Sequence, residues 1–189
     1  MTSIGSPQAS TFSLPALTLV VGGARSGKSR IAEQLVTATG RPRLYIATAQ
    51  AFDDEMRDRI ARHQVDRGPD WTTIEAPMNI AEALEKCKPK FTVLLDCATL
   101  WLTNILLDGQ NIRETCNALV DTLCKSPAPV VVVSNEVGWG IVPENRLARE
   151  FRDAQGRLNQ MIAARAGLVV GVMAGLPIVL KGDLPKGVL

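Results

Sequence analysis

Short apolar runs rich in β-branched residues alternate with segments of helical periodicity along the chain, the pattern of a mainly parallel sheet wrapped by helices. Strands are expected at Leu17 to Val21, Arg43 to Ala47, Trp71 to Glu75, Phe91 to Asp96, Val130 to Ser134, Leu168 to Met173 and Ile178 to Lys181. Seven strands fit one sheet. Helical spacing fits Lys28 to Thr39, Asp53 to Val65, Ile80 to Lys86, Thr99 to Leu107, Arg113 to Lys125 and a long segment from Glu144 to Ala166, before which Pro143 suits a helix start. No internal repeat, low-complexity tract or Gly/Pro/Ser-rich linker divides the chain. One domain over residues 14–189 is expected, preceded by a flexible polar extension over residues 1–13.

The first strand runs directly into Gly22-Gly23-Ala24-Arg25-Ser26-Gly27-Lys28-Ser29. A buried strand that stops at a glycine-rich turn and restarts as a helix points several backbone N–H groups into one concavity, at the positive end of the helix dipole. That concavity suits a polyphosphate. Gly22 and Gly27 permit close approach and unusual backbone, Lys28 reaches the β/γ-phosphates, and the Ser29 hydroxyl is placed to ligate Mg²⁺. Ile31, Ala32 and Leu35 give the next segment an apolar helical face that ends near Gly40. The expected class is therefore an α/β P-loop nucleotide-binding protein.

Composition narrows the class. With 189 residues, 46% hydrophobic and 21% charged, the chain can bury one sizeable core without staples. A net charge of +2 supplies no broad basic field, and few aromatics are available for base stacking, so no nucleic-acid partner is expected. Cys87, Cys97, Cys116 and Cys124 form no C-x-x-C pair, and with one histidine there is no Cys/His zinc set. They read as reduced core thiols of a cytoplasmic protein. The first residues carry no signal-peptide pattern, and the run Leu168 to Leu180 is broken by Gly171, Gly175 and Pro177, so no membrane span is expected.

Two further positions carry candidate chemistry. Phe91-Thr92-Val93-Leu94-Leu95-Asp96 is an apolar strand ending in a carboxylate, which suits a Walker-B aspartate facing the loop's Mg²⁺; the alternative is an aspartate capping the next helix. His63 follows Met56 and Ile60 on one helical face, among Arg59, Arg62 and Arg67. It reads either as the edge of a core-facing stripe or as a nucleophile whose anionic phosphate target the arginines neutralise. Spacing leaves both open.

Beyond Pro15 the chain resembles the bifunctional adenosylcobinamide kinase/adenosylcobinamide-phosphate guanylyltransferases of cobalamin biosynthesis. The resemblance is carried by the glycine loop, Tyr45-Ile46-Ala47-Thr48-Ala49, Asp53-Asp54-Glu55-Met56 with Arg59-Ile60 and His63, Leu95-Asp96-Cys97 with Leu102-Thr103-Asn104, and Ser134-Asn135-Glu136-Val137-Gly138 running to Ile141-Val142-Pro143-Glu144-Asn145-Arg146. It implies a RecA-like P-loop fold, a homotrimer with active sites near subunit contacts, and use of ATP, GTP and Mg²⁺. It implies that His63 takes GMP from GTP as a covalent phosphoramidate. It also carries nucleotide contacts onto Gly22 to Ser29, Ala47, Thr48, Ala49, Gln64, Val65, Asp66, Arg67, Glu75 and Asp96. The substrates implied are adenosylcobinamide and its phosphate. Trp101 and Trp139 are candidates to face the corrin ring, with ordinary part-buried packing the simpler expectation. The competing functions are a small-metabolite P-loop kinase without a covalent intermediate and a RecA-like regulatory NTP-binding module.

Overall fold

The computed structural model describes residues 12–50 and 68–184. Seven strands form one sheet: β1 (Leu17–Gly22), β2 (Arg43–Ala47), β3 (Trp71–Glu75), β4 (Thr92–Asp96), β5 (Val130–Asn135), β6 (Leu168–Met173) and β7 (Leu176–Lys181). Their order is β3-β2-β4-β5-β1-β6-β7, with all pairs parallel except the antiparallel β6–β7 edge hairpin. The described helices are α1 (Lys28–Ala38), α2 (Ile80–Glu85), α3 (Ala98–Leu107), α4 (Ile112–Cys124) and α5 (Arg146–Arg165). The helix expected over Asp53 to Val65 lies outside the described residues.

The near-continuous apolar strands follow from burial on both faces. Along β5, Val130 and Val132 point into a core shared with α2 to α5, while Val131 and Val133 point into a second core built on α1. β4 alternates in the same way, with Val93 and Leu95 on one side and Leu94 on the other. Cutting a fully buried side chain such as Leu95 back to alanine costs about 2–5 kcal/mol, so these strands set the sheet.

Most elements differ from the sequence expectation by one or two residues at a boundary, and three of the differences are instructive. The last helix starts at Arg146 rather than Glu144, because Asn145 Oδ1 accepts from the Ala148 N–H at 3.1 Å and fixes the cap there. β5 runs one residue further, to Asn135, paired with Gly22 of the longer β1. β7 starts at Leu176 rather than Ile178; Pro177 is tolerated because β7 is an edge strand.

Candidate active site

The candidate nucleotide-site residues within the described region lie at the C-terminal ends of parallel strands of the sheet, in the turns that leave them, or, for Lys28 and Ser29, in the first turn of α1. The glycine loop leaves β1, Ala47 ends β2 and is followed by Thr48 and Ala49, Glu75 ends β3, and Asp96 ends β4. His63, Gln64, Val65, Asp66 and Arg67 lie outside the described residues, as do Arg59 and Arg62.

The loop has the geometry that its residue types require. A Cβ on Gly22 would sit 2.4 Å from the Val172 carbonyl oxygen, so only glycine lets β1 turn against β6. Gly27, the N-cap of α1, has φ +92°, a conformation that side chains other than glycine rarely adopt. Ser26 N–H donates to Gly23 O at 3.2 Å, and Lys28 Nζ donates to the same oxygen at 3.2 Å, closing the loop on itself. The Ser26 hydroxyl is buried with no hydrogen-bond partner among the described residues. An orphaned hydroxyl is costly, and an anion seated in the loop is one way to satisfy it.

The loop is braced from outside by the β6–β7 turn. Ala174 and Gly175 both have positive φ, as a two-residue primed hairpin turn requires. Gly175 N–H donates to Ser26 O at 2.9 Å, and Arg30 on α1 donates through Nη2 to Gly175 O at 3.1 Å. Sequence reasoning missed this brace, since placing the strand start at Ile178 left the Ala174-Gly175 turn unrecognised.

Asp96 does not cap the following helix. Cys97 is the N-cap of α3, its sulfur accepting from the Leu100 N–H at 3.5 Å, while Asp96 Oδ2 accepts from the Tyr45 hydroxyl at 3.1 Å. Thr48 locks the same segment: its Oγ1 donates to Cys97 O and accepts from Cys97 N–H, both at 2.8 Å. Asn104 Nδ2 then ties Thr48 O and Pro77 O together, each at 2.9 Å. Burial and the adjacent Asp96 carboxylate push the Cys97 thiol up to about 11, so it is a packed thiol rather than a nucleophile. The four cysteines are unpaired.

The donor set fits Mg²⁺ beside a polyphosphate. Asp96 and Ser29 offer hard oxygens, and no group of three or more His, Cys, Asp or Glu among the described residues makes an all-protein metal cage. Few protein ligands suit a cation that keeps water and takes phosphate oxygens. Glu75 rims a cleft of about 210 Å³ that also includes Gln50, Asn79, Glu82 and Lys86.

The two candidate tryptophans part company. Trp101 is a core residue whose Nε1 donates to Met78 O at 3.0 Å, whereas Trp139 is 80% exposed. The packing expectation therefore holds for Trp101 and fails for Trp139, which lies in the turn between β5 and α5 rather than under an element.

Fold and loop together define a P-loop α/β protein. The ATPase EscN of the enteropathogenic Escherichia coli type III secretion system is similar in fold, at TM-score 0.54 and 9% identity, covering 84% of this chain and 43% of that one. The family described as cobinamide kinase / cobinamide phosphate guanyltransferase matches residues 18–180, and the chain belongs to it. It is 46% identical over 168 residues to the bifunctional adenosylcobalamin biosynthesis protein CobP of Pseudomonas aeruginosa, covering 87% of this chain and 97% of that protein. It is 43% identical over 181 residues to the bifunctional adenosylcobalamin biosynthesis protein CobU of Escherichia coli K12, covering 87% and 99%.

Proposed function

We propose that this protein is a bifunctional enzyme of adenosylcobalamin biosynthesis that phosphorylates adenosylcobinamide with ATP or GTP and then transfers GMP from GTP to the new phosphate, giving adenosylcobinamide-GDP. The observation that carries the proposal is the family match across residues 18–180, on a chain whose glycine loop and Asp96 both lie at the C-terminal ends of parallel strands.

In the kinase reaction, the loop N–H groups and Lys28 hold the β- and γ-phosphates in line with the aminopropanol hydroxyl of the substrate. Ser29 and Asp96 would hold Mg²⁺, which when bound neutralises charge on the phosphate oxygens. Tyr45 keeps the Asp96 carboxylate turned to one orientation. Phosphoryl transfer needs little covalent help from the protein, so positioning and charge are sufficient.

Guanylyl transfer needs a nucleophile. A ring nitrogen of His63 attacks the α-phosphorus of GTP, forming an N–P bond as the P–O bond to pyrophosphate breaks. An oxygen of the substrate phosphate then attacks the same phosphorus, the N–P bond breaks, and the imidazole is regenerated. Gln64 to Arg67 and Glu75 would contact the nucleotide, as would the segment Ala47 to Ala49. The site works at a subunit contact of a cytoplasmic homotrimer. Exposed Leu176, Ile178 and Leu180 on β7, with Trp139 and Ile141, offer apolar surface for such contacts. Among the described residues no helix is long and apolar enough to cross a membrane.

Mass spectrometry of the corrinoid products tests the proposal. ATP alone should yield adenosylcobinamide phosphate, and adding GTP should convert it to the GDP-linked product. Phosphate that accumulates with GTP present, with no further conversion, would reduce the protein to a simple kinase. Nucleotide-dependent association without turnover would make it a regulatory module.

A further inference from the structure

We infer that Asn104 is a positioning residue for guanylyl transfer, holding the end of β3 that carries Glu75 against the turn after β2 that carries Thr48. The role rests on the proposed function, in which Glu75 and the segment Ala47 to Ala49 contact GTP. Ala47 pairs with Glu75 on one side and with Asp96 on the other, so the three residues stand in one row across β3, β2 and β4. Tyr45, Ala47, Leu94 and Trp71 all pack with the core built on α1, and side chains alternate along a strand, so the whole row faces that side of the sheet. Strand spacing puts the backbones of Glu75 and Asp96 roughly 10 Å apart. The Asp96 end of the row is well held. Thr48 N–H donates to Asp96 O at 3.2 Å, and the Thr48 hydroxyl bonds to both the N–H and the carbonyl of Cys97. The Glu75 end has no such support from burial, because β3 is an edge strand and none of its five residues is buried.

Helix α3 supplies that support. It packs on the opposite face of the sheet, where Trp101, Leu102 and Ile105 share a core with Ile46, Leu95 and Ile74. Trp101 and Asn104 are three residues apart and so share a face of the helix. Trp101 Nε1 donates to Met78 O at 3.0 Å, while Asn104 Nδ2 donates to Pro77 O and to Thr48 O, each at 2.9 Å. The turn that leaves β3 is therefore hooked to α3 by two side chains, and Asn104 also grips the turn that leaves β2. A primary amide has two hydrogens to give, and both go to carbonyls of the turns that follow the row. Asn104 is buried, where an amide costs more to desolvate than an apolar side chain and recovers that cost only through such bonds. Its loss would act unevenly on the site. Thr48 keeps its own bonds to Asp96 and Cys97, so the phosphate loop and Asp96 stay in place for phosphoryl transfer. The Glu75 end is freed from the turn after β2, and contacts that GTP makes to both are weakened. Contacts made equally in the ground state and the transition state show in KM rather than in kcat.

The test is a pair of initial-rate assays on the full chain in Mg²⁺ buffer: phosphorylation of adenosylcobinamide across ATP concentrations, and guanylyl transfer to adenosylcobinamide phosphate across GTP concentrations. The variants are Asn104→Leu, Asn104→Asp and Asn104→Gln, with Leu102→Ala as a packing control from the same helix, and thermal melts give the stability of each. Asn104→Leu and Asn104→Asp should raise the KM for GTP about tenfold, with kcat within about threefold and the KM for ATP within about twofold of wild type. Asn104→Gln keeps both donors on a longer stem and should recover part of the GTP affinity. Leu102→Ala should lose stability yet leave the ratio of the two KM values within about twofold of wild type. If Asn104→Leu does not fold, Asn104→Asp against Asn104→Gln makes the same comparison. Equal rises in both KM values, a GTP KM that does not move, or the same split in Leu102→Ala would each overturn the role of Asn104. Wild type that phosphorylates but never transfers GMP would instead remove the guanylyltransferase reading, and the positioning role with it.

Discussion

The Tyr45 hydroxyl donates to Oδ2 of Asp96 at 3.1 Å across the β2–β4 pair, joining the only tyrosine of the chain to the carboxylate that ends β4. Tyr45 lies directly opposite Leu94, two residues before Asp96, so both side chains point to the α1 face. Tyr45→Phe keeps the ring that meets Trp71 edge-on and removes the hydroxyl that donates to Asp96. Both reactions should slow by about tenfold, as expected for loss of about 1.4 kcal/mol of orientation. Steady-state rates on the two corrinoid substrates check this, and unchanged rates would show that Asp96 needs no such hold.

Asp96→Asn separates charge from shape. The α3 cap is Cys97, so the fold should survive, while the loss of an anionic ligand should raise the Mg²⁺ needed for half-maximal activity by about tenfold or more. A magnesium titration that overlays wild type would remove Asp96 from the metal.

Arg30→Ala cuts the bond from α1 to the β6–β7 turn and leaves the turn's own bond to the phosphate loop, Gly175 N–H to Ser26 O. The bond is exposed, so nucleotide affinity should fall only about threefold, in line with roughly 0.5–1 kcal/mol. Affinity unchanged within error in a binding titration would mean that the Gly175 to Ser26 bond suffices.

The sheet was legible because its strands are buried on both faces, and runs such as Val130 to Val133 advertise that burial directly. The phosphate loop was legible because each residue type answers a local demand: glycine where Val172 O crowds β1, glycine again where φ is +92°. What the sequence hid was contact between distant segments. Nothing in the local pattern ties Tyr45 to Asp96, Arg30 to Gly175, or Asn159 to Asn135, since each link depends on strand order. The choice between metal ligand and helix cap for Asp96 was undecidable locally, because Cys97 is an unexpected capping residue. Pro177 hid the start of β7 in the same way, its cost vanishing only at a sheet edge.

Cys97 makes stability pH-dependent. Burial, then the Asp96 charge, raise its thiol to about 11 in the folded chain, against about 8.5 for an unfolded cysteine. The folded state therefore keeps its proton to higher pH than the unfolded state, so this contribution is complete below about pH 8.5 and lost as pH rises toward about 11. Denaturant unfolding across that window should show a loss of up to about 3 kcal/mol that Cys97→Ala reduces. An identical decline in both proteins would assign the alkaline loss elsewhere. Cys116, also raised to about 11 by burial, contributes in the same direction.

His63→Ala divides the two reactions most sharply, because phosphoryl transfer to a hydroxyl needs no imidazole whereas a GMP–enzyme intermediate cannot form without one. Arg62→Ala, which removes only a neighbouring charge, should slow guanylyl transfer without abolishing it. The deciding measurement is incubation with α-labelled GTP and Mg²⁺ followed by denaturing electrophoresis. Wild type should carry acid-labile, base-stable label; His63→Ala should carry none, yet still convert adenosylcobinamide to its phosphate with ATP. Label retained on His63→Ala, or wild type that forms the GDP-linked product without ever becoming labelled, would contradict a guanylyl-histidine route.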